Sequence, residues 1–219
     1  MKAFGFRVEP YIIGYNSSIR SKIDIINLIL GIIVFFNLPK THTVLIKDLP
    51  KQNDDGKINL ILYVDRMSRI FISENNKIHT FHFPFFVSEN GGYVKAYYNS
   101  LEIENWIISI IRSTFNAQNE VQGIEDLLDS FWSASRDVDV SDSQIKLYKG
   151  LLTFLLSFEA GYLRFDHDEV HGDVLMHPAN HLDFYYSNKA TFKIGLDGEL
   201  GHDCFINILN KNTPCSFLK

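Results

Sequence analysis

The chain has 219 residues, 46% of them apolar and 21% charged, with 18 Phe and 10 Tyr, which is material for a well-buried core and unlike a disordered polymer. A net charge of −5 gives no overall positive field to draw the protein to nucleic acid, so any such contact falls to a local basic groove. Cys204 and Cys215 supply neither a disulfide framework nor a paired metal knuckle, and MKAFGFRVEPYIIGY lacks the basic start and apolar run of a secretory signal; an intracellular, cytoplasmic chain is expected.

The first strong pattern along the chain is IDIINLILGIIVFFNL, residues 23–38. Its longest unbroken apolar run, LILGIIVFF, is too short to span a membrane, so the segment reads as a buried core element. Ser17 or Ser18 is a candidate cap for a helix running into it, and Pro39 ends it, because the residue before a proline is pushed out of helical space.

Four segments rich in β-branched and aromatic residues follow: HTVLIKDL (42–49), KINLILYVDR (57–66), SRIFIS (68–73) and KIHTFHFPFFV (77–87). Turn residues separate them at NDDG (53–56), ENN (74–76) and ENGG (89–92), which predicts an antiparallel sheet continued by YVKAYYN (93–99). His79 and His82, three apart on one strand, point to opposite faces and do not share a ligand.

From Ser100 the texture becomes helical. SLEIENWIISIIRSTF opens on a serine with acidic residues in its first turn, and Trp106, Ile107, Ile110 and Ile111 recur at helical spacing. Two more helices are predicted, one near 123–135 and one over 141–160 capped by Ser141, joined by the polar loop SRDVDVSD. Strands return at GYLRFDHD (161–168), HLDFYY (181–186) and ATFKIGL (190–196), before the apolar stretch CFINILN. The class is therefore α+β, largely antiparallel strands with packed helices, in one domain over 1–219. Its strand-rich part covers 1–99, its helical part 100–160 and its strand-rich end 161–219.

That end carries RFDHDEVHGDVLMHPANHLDF, with His167, His171, His177 and His181 among five carboxylates. Imidazole and carboxylate are common ligands of divalent metals such as zinc, manganese or magnesium, provided they converge on one point. The four-residue spacings of the histidines suit a helix, but Gly172 and Pro178 interrupt one, so convergence has to come from paired strands. Strand alternation places Arg164, Asp166 and Asp168 on one face of the incoming strand and His181 with Asp183 on one face of the outgoing strand. If the two faces align, they form a single charged patch overhung by His177.

Three chemistries fit such a patch. A metal-assisted hydrolase would take its ligands from Asp166, Asp168, His181 and Asp183 and use His177 as general base or acid. A metal-free phosphodiesterase would work with His177 and His181, Arg164 stabilising the developing phosphate charge. In a purely architectural patch, Arg164 pairs with a neighbouring carboxylate and the histidines satisfy backbone groups. Other chemistries find less: ENGGY and GLDGELG lack the lysine and helix of a phosphate loop, no GxSxG is present, and the apolar neighbours of Cys204 predict a buried, inert thiol. Lys95, Arg66 and Arg69 make no basic patch.

RFDHD, a spacer and then HPANHLDF followed by ATFKIGL resembles a group of uncharacterised bacterial proteins whose C-terminal part carries an R-F-D segment followed by HP-x-x-H-L. The resemblance covers about residues 161–210, with Arg164, Asp166, His177, Pro178 and His181 at matching positions. Asp183 stands where a second histidine would complete HLH. The resemblance implies a component of a multi-gene bacterial defence or mobile-element module and assigns no activity. Two functions are expected from the whole: a metal- or histidine-dependent phosphodiesterase with nucleic acid as a candidate substrate, or a non-catalytic subunit or adaptor working through protein partners or self-assembly, its aromatic residues serving as anchors.

Overall fold

The computed structural model describes residues 2–15, 19, 21–39, 41–51, 55–65, 67–116, 123–136, 138, 141–158, 160–170, 172–187, 190–215 and 217. Ser17, Ser18, Asn53, Asp54, Arg66, Asp137, Asp139, Val140, Glu159 and His171, which carried expectations from the sequence, lie outside them.

Seven strands form one antiparallel sheet: β1 (Ala3–Val8), β2 (Ile58–Tyr63), β3 (Arg69–Glu74), β4 (Lys77–His82), β8 (Tyr162–His167), β9 (Asn180–Ser187) and β10 (Ala190–Gly195), in that spatial order. Three shorter strands, β5 (Phe86–Asn90), β6 (Tyr93–Tyr98) and β7 (Leu101–Glu102), make a second sheet. The helices are α1 (Lys22–Phe36), α2 (Asn105–Asn116), α3 (Ile124–Ser135), α4 (Asp142–Ser157) and α5 (His202–Leu209). The expected α+β class is what the structure shows.

The two faces of the large sheet are covered unequally. On one face Phe6, Leu60, Ile72 and Phe81 join a large core with α1, α2, α3 and α4. On the other, Phe71, Leu163, Phe165 and Leu182 pack under Phe205 and Ile206 of α5. β2 is buried along its whole length because it is covered from both sides, and for that reason INLILY, apart from Asn59, is apolar at successive positions rather than alternating.

α1 begins at Ser21, whose hydroxyl accepts from Asp24 N while the Asp24 carboxylate accepts from Ser21 N, a reciprocal capping box. Nearly every turn of α1 is buried, and Gly31 admits the backbone of the 10–15 turn: a Cβ there would lie 2.1 Å from the Ile13 carbonyl oxygen. No helix among the described residues is long and apolar enough to cross a membrane.

Four expectations need correction. The segment 42–49 is no strand: Val44 makes a single bridge to Gly5, and a 3-10 turn follows at Ile46–Asp48, where Pro50 closes off further pairing. The strand expected over 77–87 breaks around Pro84, which has no N–H to give a ladder, so β5 and β6 leave for the second sheet. The helix expected from Ser100 starts at Asn105, because Asn99, at φ +54°, turns the chain back and pairs Leu101 and Glu102 with β6. Cys204 is exposed, since α5 turns Phe205 and Ile206 to the sheet.

Candidate metal centre

The site arises where one row of the large sheet changes character. Residues in register from edge to edge read Phe6, Leu60, Ile72, His79, Arg164, Asp183, Lys193. The row is apolar over β1–β3, under the main core, and polar from β4 onward. The adjacent row on the same face contributes Lys77, Asp166, His181 and Gly195. Strand alternation does the sorting: the intervening residues Leu163, Phe165 and Leu182 bury against α5, which forces Arg164, Asp166, His181 and Asp183 together on the opposite face.

Arg164 is the hub. Its Nη2 lies 2.5 Å from Asp166 Oδ2 and also donates to Asp183 Oδ2. Burial alone would loosen the guanidinium proton, but the two carboxylates outweigh it and push the Arg164 pKa above its ordinary value. Lys193, across from Asp183, places Nζ 3.5 Å from Asp183 Oδ1.

His181 is 0% exposed. Its Nδ1 lies 2.8 Å from the Pro178 carbonyl oxygen, and since a carbonyl only accepts, Nδ1 carries the hydrogen. Nε2 is then directed at Asp166 Oδ2, 3.5 Å away, and Asp183 Oδ2, 3.7 Å away, and has no hydrogen-bond partner. Asp166 Oδ1 is likewise buried without a partner. An imidazole lone pair facing carboxylate oxygens in a buried site is repulsive, and a proton or a metal ion between them reverses the sign.

The fit to an ion follows from that set. One ligand atom each of Asp166, His181 and Asp183 lies within 4.8 Å of the others. A tetrahedral ion with bonds of 2.0–2.2 Å separates its ligands by roughly 3.3–3.6 Å, close to the Nε2–Oδ2 spacings. The Nδ1–carbonyl contact supplies the outer partner that metal-binding histidines ordinarily have. Arg164 shares the Oδ2 atoms, whereas His181 Nε2 and Asp166 Oδ1 are buried without a hydrogen-bond partner.

The loop between β8 and β9 holds His177 against this group. Pro178 packs on Gly195, where a Cβ would come within 2.9 Å of Pro178 Cγ. Asp173 and His177 exchange backbone hydrogen bonds of 2.7 and 3.0 Å, and Asp173 Oδ1 accepts from Leu175 N and Met176 N, which draws the Asp173 pKa below the ordinary carboxylate value. The His177 ring meets the His181 ring at 4.5 Å and a 64° angle, and its Nδ1 lies 2.8 Å from Lys193 Nζ.

On the core side, Tyr15 Oη and His79 Nδ1 are 2.8 Å apart, both side chains buried. Burial, then the charges of Arg164 and Lys77, lowers the His79 pKa to about 3, so the ring is neutral. Burial first and Glu74 second raise the Tyr15 pKa well above its ordinary value.

Of the residues named from the sequence, the structure brings together Arg164, Asp166, His181, Asp183 and, at the rim, His177. Asp168 is not in the group within reach among the described residues: its carboxylate accepts from Val170 N in the loop. His167 points to the α5 face, where Asn180 first and Glu199 and Glu169 next raise its pKa. Lys193, His79 and Tyr15 were missed. Lys193 is legible only once β10 is known to neighbour β9, and nothing in the sequence aligns Tyr15 with β4. Comparison with protein-family models, curated proteins and solved structures finds no match to the chain.

Proposed function

We propose that the chain is a metal-dependent hydrolase of phosphodiester bonds, with Asp166, His181 and Asp183 holding a divalent ion. The observation that carries this reading is the wholly buried His181 Nε2, which the Nδ1 contact to the Pro178 carbonyl aims at two carboxylates with no hydrogen bond of its own. An ion bound there would supply Lewis-acid polarisation of a phosphoryl oxygen and would lower the pKa of a water. Arg164 fixes the carboxylates in place. His177, at the rim against His181, would offer a hydrogen bond to a substrate oxygen bound beside the ion. In the overall reaction water adds to phosphorus, one P–O ester bond breaks, and the departing alcohol takes up a proton.

The test is elemental analysis of purified protein beside His181→Ala and Asp183→Asn, with circular dichroism to establish folding, and hydrolysis of bis(p-nitrophenyl) phosphate and single-stranded DNA. One ion per chain, lost from a folded variant together with turnover, is the expected result. Absence of metal after incubation with zinc, manganese and magnesium, with no turnover, would overturn the reading.

One observation favours an adaptor instead. Val174, Leu175 and Met176 form a hairpin tip that is 89, 87 and 83% exposed although Asp173 orders its backbone, and contiguous exposed apolar residues mark contact surfaces. On that reading the Arg164 network is the rigid base of a docking loop, metal is absent, and only the tip variants lose function.

A further inference from the structure

We propose that Lys193 and His177 form an anion-receiving pair at the rim of this site and bind the oxygens of a phosphate group. The inference takes the ion of the preceding reading as its neighbour, but its own support is the geometry of β10 and the loop.

Lys193 faces Asp183 across β9 and β10. Its ammonium lies 2.8 Å from His177 Nδ1 and 3.5 Å from Asp183 Oδ1. An ammonium has donors only, so His177 Nδ1 accepts, and the neutral ring carries its hydrogen on Nε2. Lys193 therefore does two things. It brings a full positive charge to the rim, and it sets His177 as a second donor beside that charge.

Burial divides the cluster into two layers. Asp166 and His181 are buried, with Arg164 and Asp183 nearly so. Lys193 and His177 keep part of their side chains in water and can meet a solute. Charge explains what that solute is. Two carboxylates, Asp166 and Asp183, balance one guanidinium and one ammonium, Arg164 and Lys193. A divalent ion added to these four groups, with Lys77 opposite Asp166 on the same face, would leave the site positive, which suits an anion such as phosphate. A charged donor beside a neutral one suits a phosphate oxygen, since charge-assisted hydrogen bonds are the strong class. Phosphate is then the group that hydrolysis of a diester leaves behind with one more negative charge than it had.

Isothermal titration calorimetry with inorganic phosphate tests the pair on full-length protein, with and without one equivalent of manganese, while elemental analysis follows the metal separately. Wild type should bind phosphate, more tightly with manganese present. Lys193→Gln should weaken binding about tenfold or more, the worth of one charge-assisted hydrogen bond, and should retain its metal. Lys193→Arg, which keeps the charge, should stay within about threefold. His177→Phe, which loses the donor, should weaken binding less than Lys193→Gln. Phosphate binding that Lys193→Gln does not alter, or no phosphate binding with or without the ion, overturns the pair. Metal occupancy with no phosphate binding sinks the pair and leaves the metal reading standing. Lys193-dependent phosphate binding to a chain that takes up no metal does the reverse.

Discussion

Arg164 and Asp183 face each other across β8 and β9, and one guanidinium nitrogen serves both the Asp183 and the Asp166 carboxylates. Removing that nitrogen leaves two nearly buried carboxylates side by side. Arg164→Met should therefore cost about 3–5 kcal/mol of stability, the usual effect of stripping one partner from a buried ion network. The triple variant Arg164→Met, Asp166→Asn, Asp183→Asn should recover a large part of the loss. Urea denaturation of the two proteins checks it, and equal stabilities would show that the carboxylates do not depend on Arg164.

His79 predicts a pH dependence of definite sign. Its pKa falls from 6.5 to about 3 on folding, so between those values the unfolded chain binds the extra proton and folding is penalised. The contribution is whole above about pH 6.5 and is lost as the pH falls. It amounts to about 2 kcal/mol by pH 5, at 1.36 kcal/mol per pH unit. Stability measured from pH 7 to pH 5 should decline less steeply in Tyr15→Phe, His79→Leu, which removes the group and its hydroxyl partner together. Parallel profiles would contradict the assignment.

Gly31 sits in the middle of α1, where alanine ordinarily stabilises a helix by about 1 kcal/mol. Here the new Cβ would meet the Ile13 carbonyl oxygen at 2.1 Å, and the backbone cannot swing aside as a flexible side chain would. Gly31→Ala should therefore destabilise, by about 1–3 kcal/mol as for other overpacked cores. Because the 10–15 turn carries Tyr15, the substitution should also disturb the Tyr15 to His79 hydrogen bond, visible in the His79 ring resonances. A rise in melting temperature would refute the close approach.

Replacing Val174, Leu175 and Met176 by serine should leave stability within about 0.5 kcal/mol, because none of the three is buried in the fold. Solubility should improve at the same time. A large loss of stability in thermal melts would mean that the tip packs where the structure shows it exposed.

Much of the fold was legible because the strands carry their own punctuation. The turns at 75–76 and 91–92 and the Ser141 cap stand where turn and cap residues predict them, the last as a capping box with Gln144. The site was legible as far as alternation reaches: two strands with polar residues at every second position, each with an apolar underside, place Arg164 and Asp166 on one face and His181 and Asp183 on another. Their alignment was not, since it depends on β8 pairing with β9 in one register out of several. A one-residue slip would have buried the charges under α5. Val44 shows the limit from the other side: HTVLIKDL has the composition of a strand, but it forms no ladder, only a bridge from Val44 to Gly5 and a hydrogen bond from Thr43 N to the Gly92 carbonyl among the described residues.

The sheet is a succession of neighbours with one exception. β1 to β4 is completed from the first 82 residues, save for the chain between β1 and β2, and β8 to β10 is a meander in its own right. Among the described residues the β4–β8 ladder, with Lys77 opposite Asp166 and His79 opposite Arg164, is the one strand pairing that joins the halves. β2 to β4 and β8 to β10 can each form from contacts near in sequence, whereas the seam, like the β1–β2 ladder, has to close a long loop, the slow kind of step in folding. Arg164, Asp166, His181 and Asp183 can thus assemble with the C-terminal meander, while His79, next to Arg164 in the same row, and its partner Tyr15 arrive with the seam. Amide exchange followed during refolding should protect β8–β9 before β4–β8, so that the charged patch takes shape on one half of the chain before the other half docks on it.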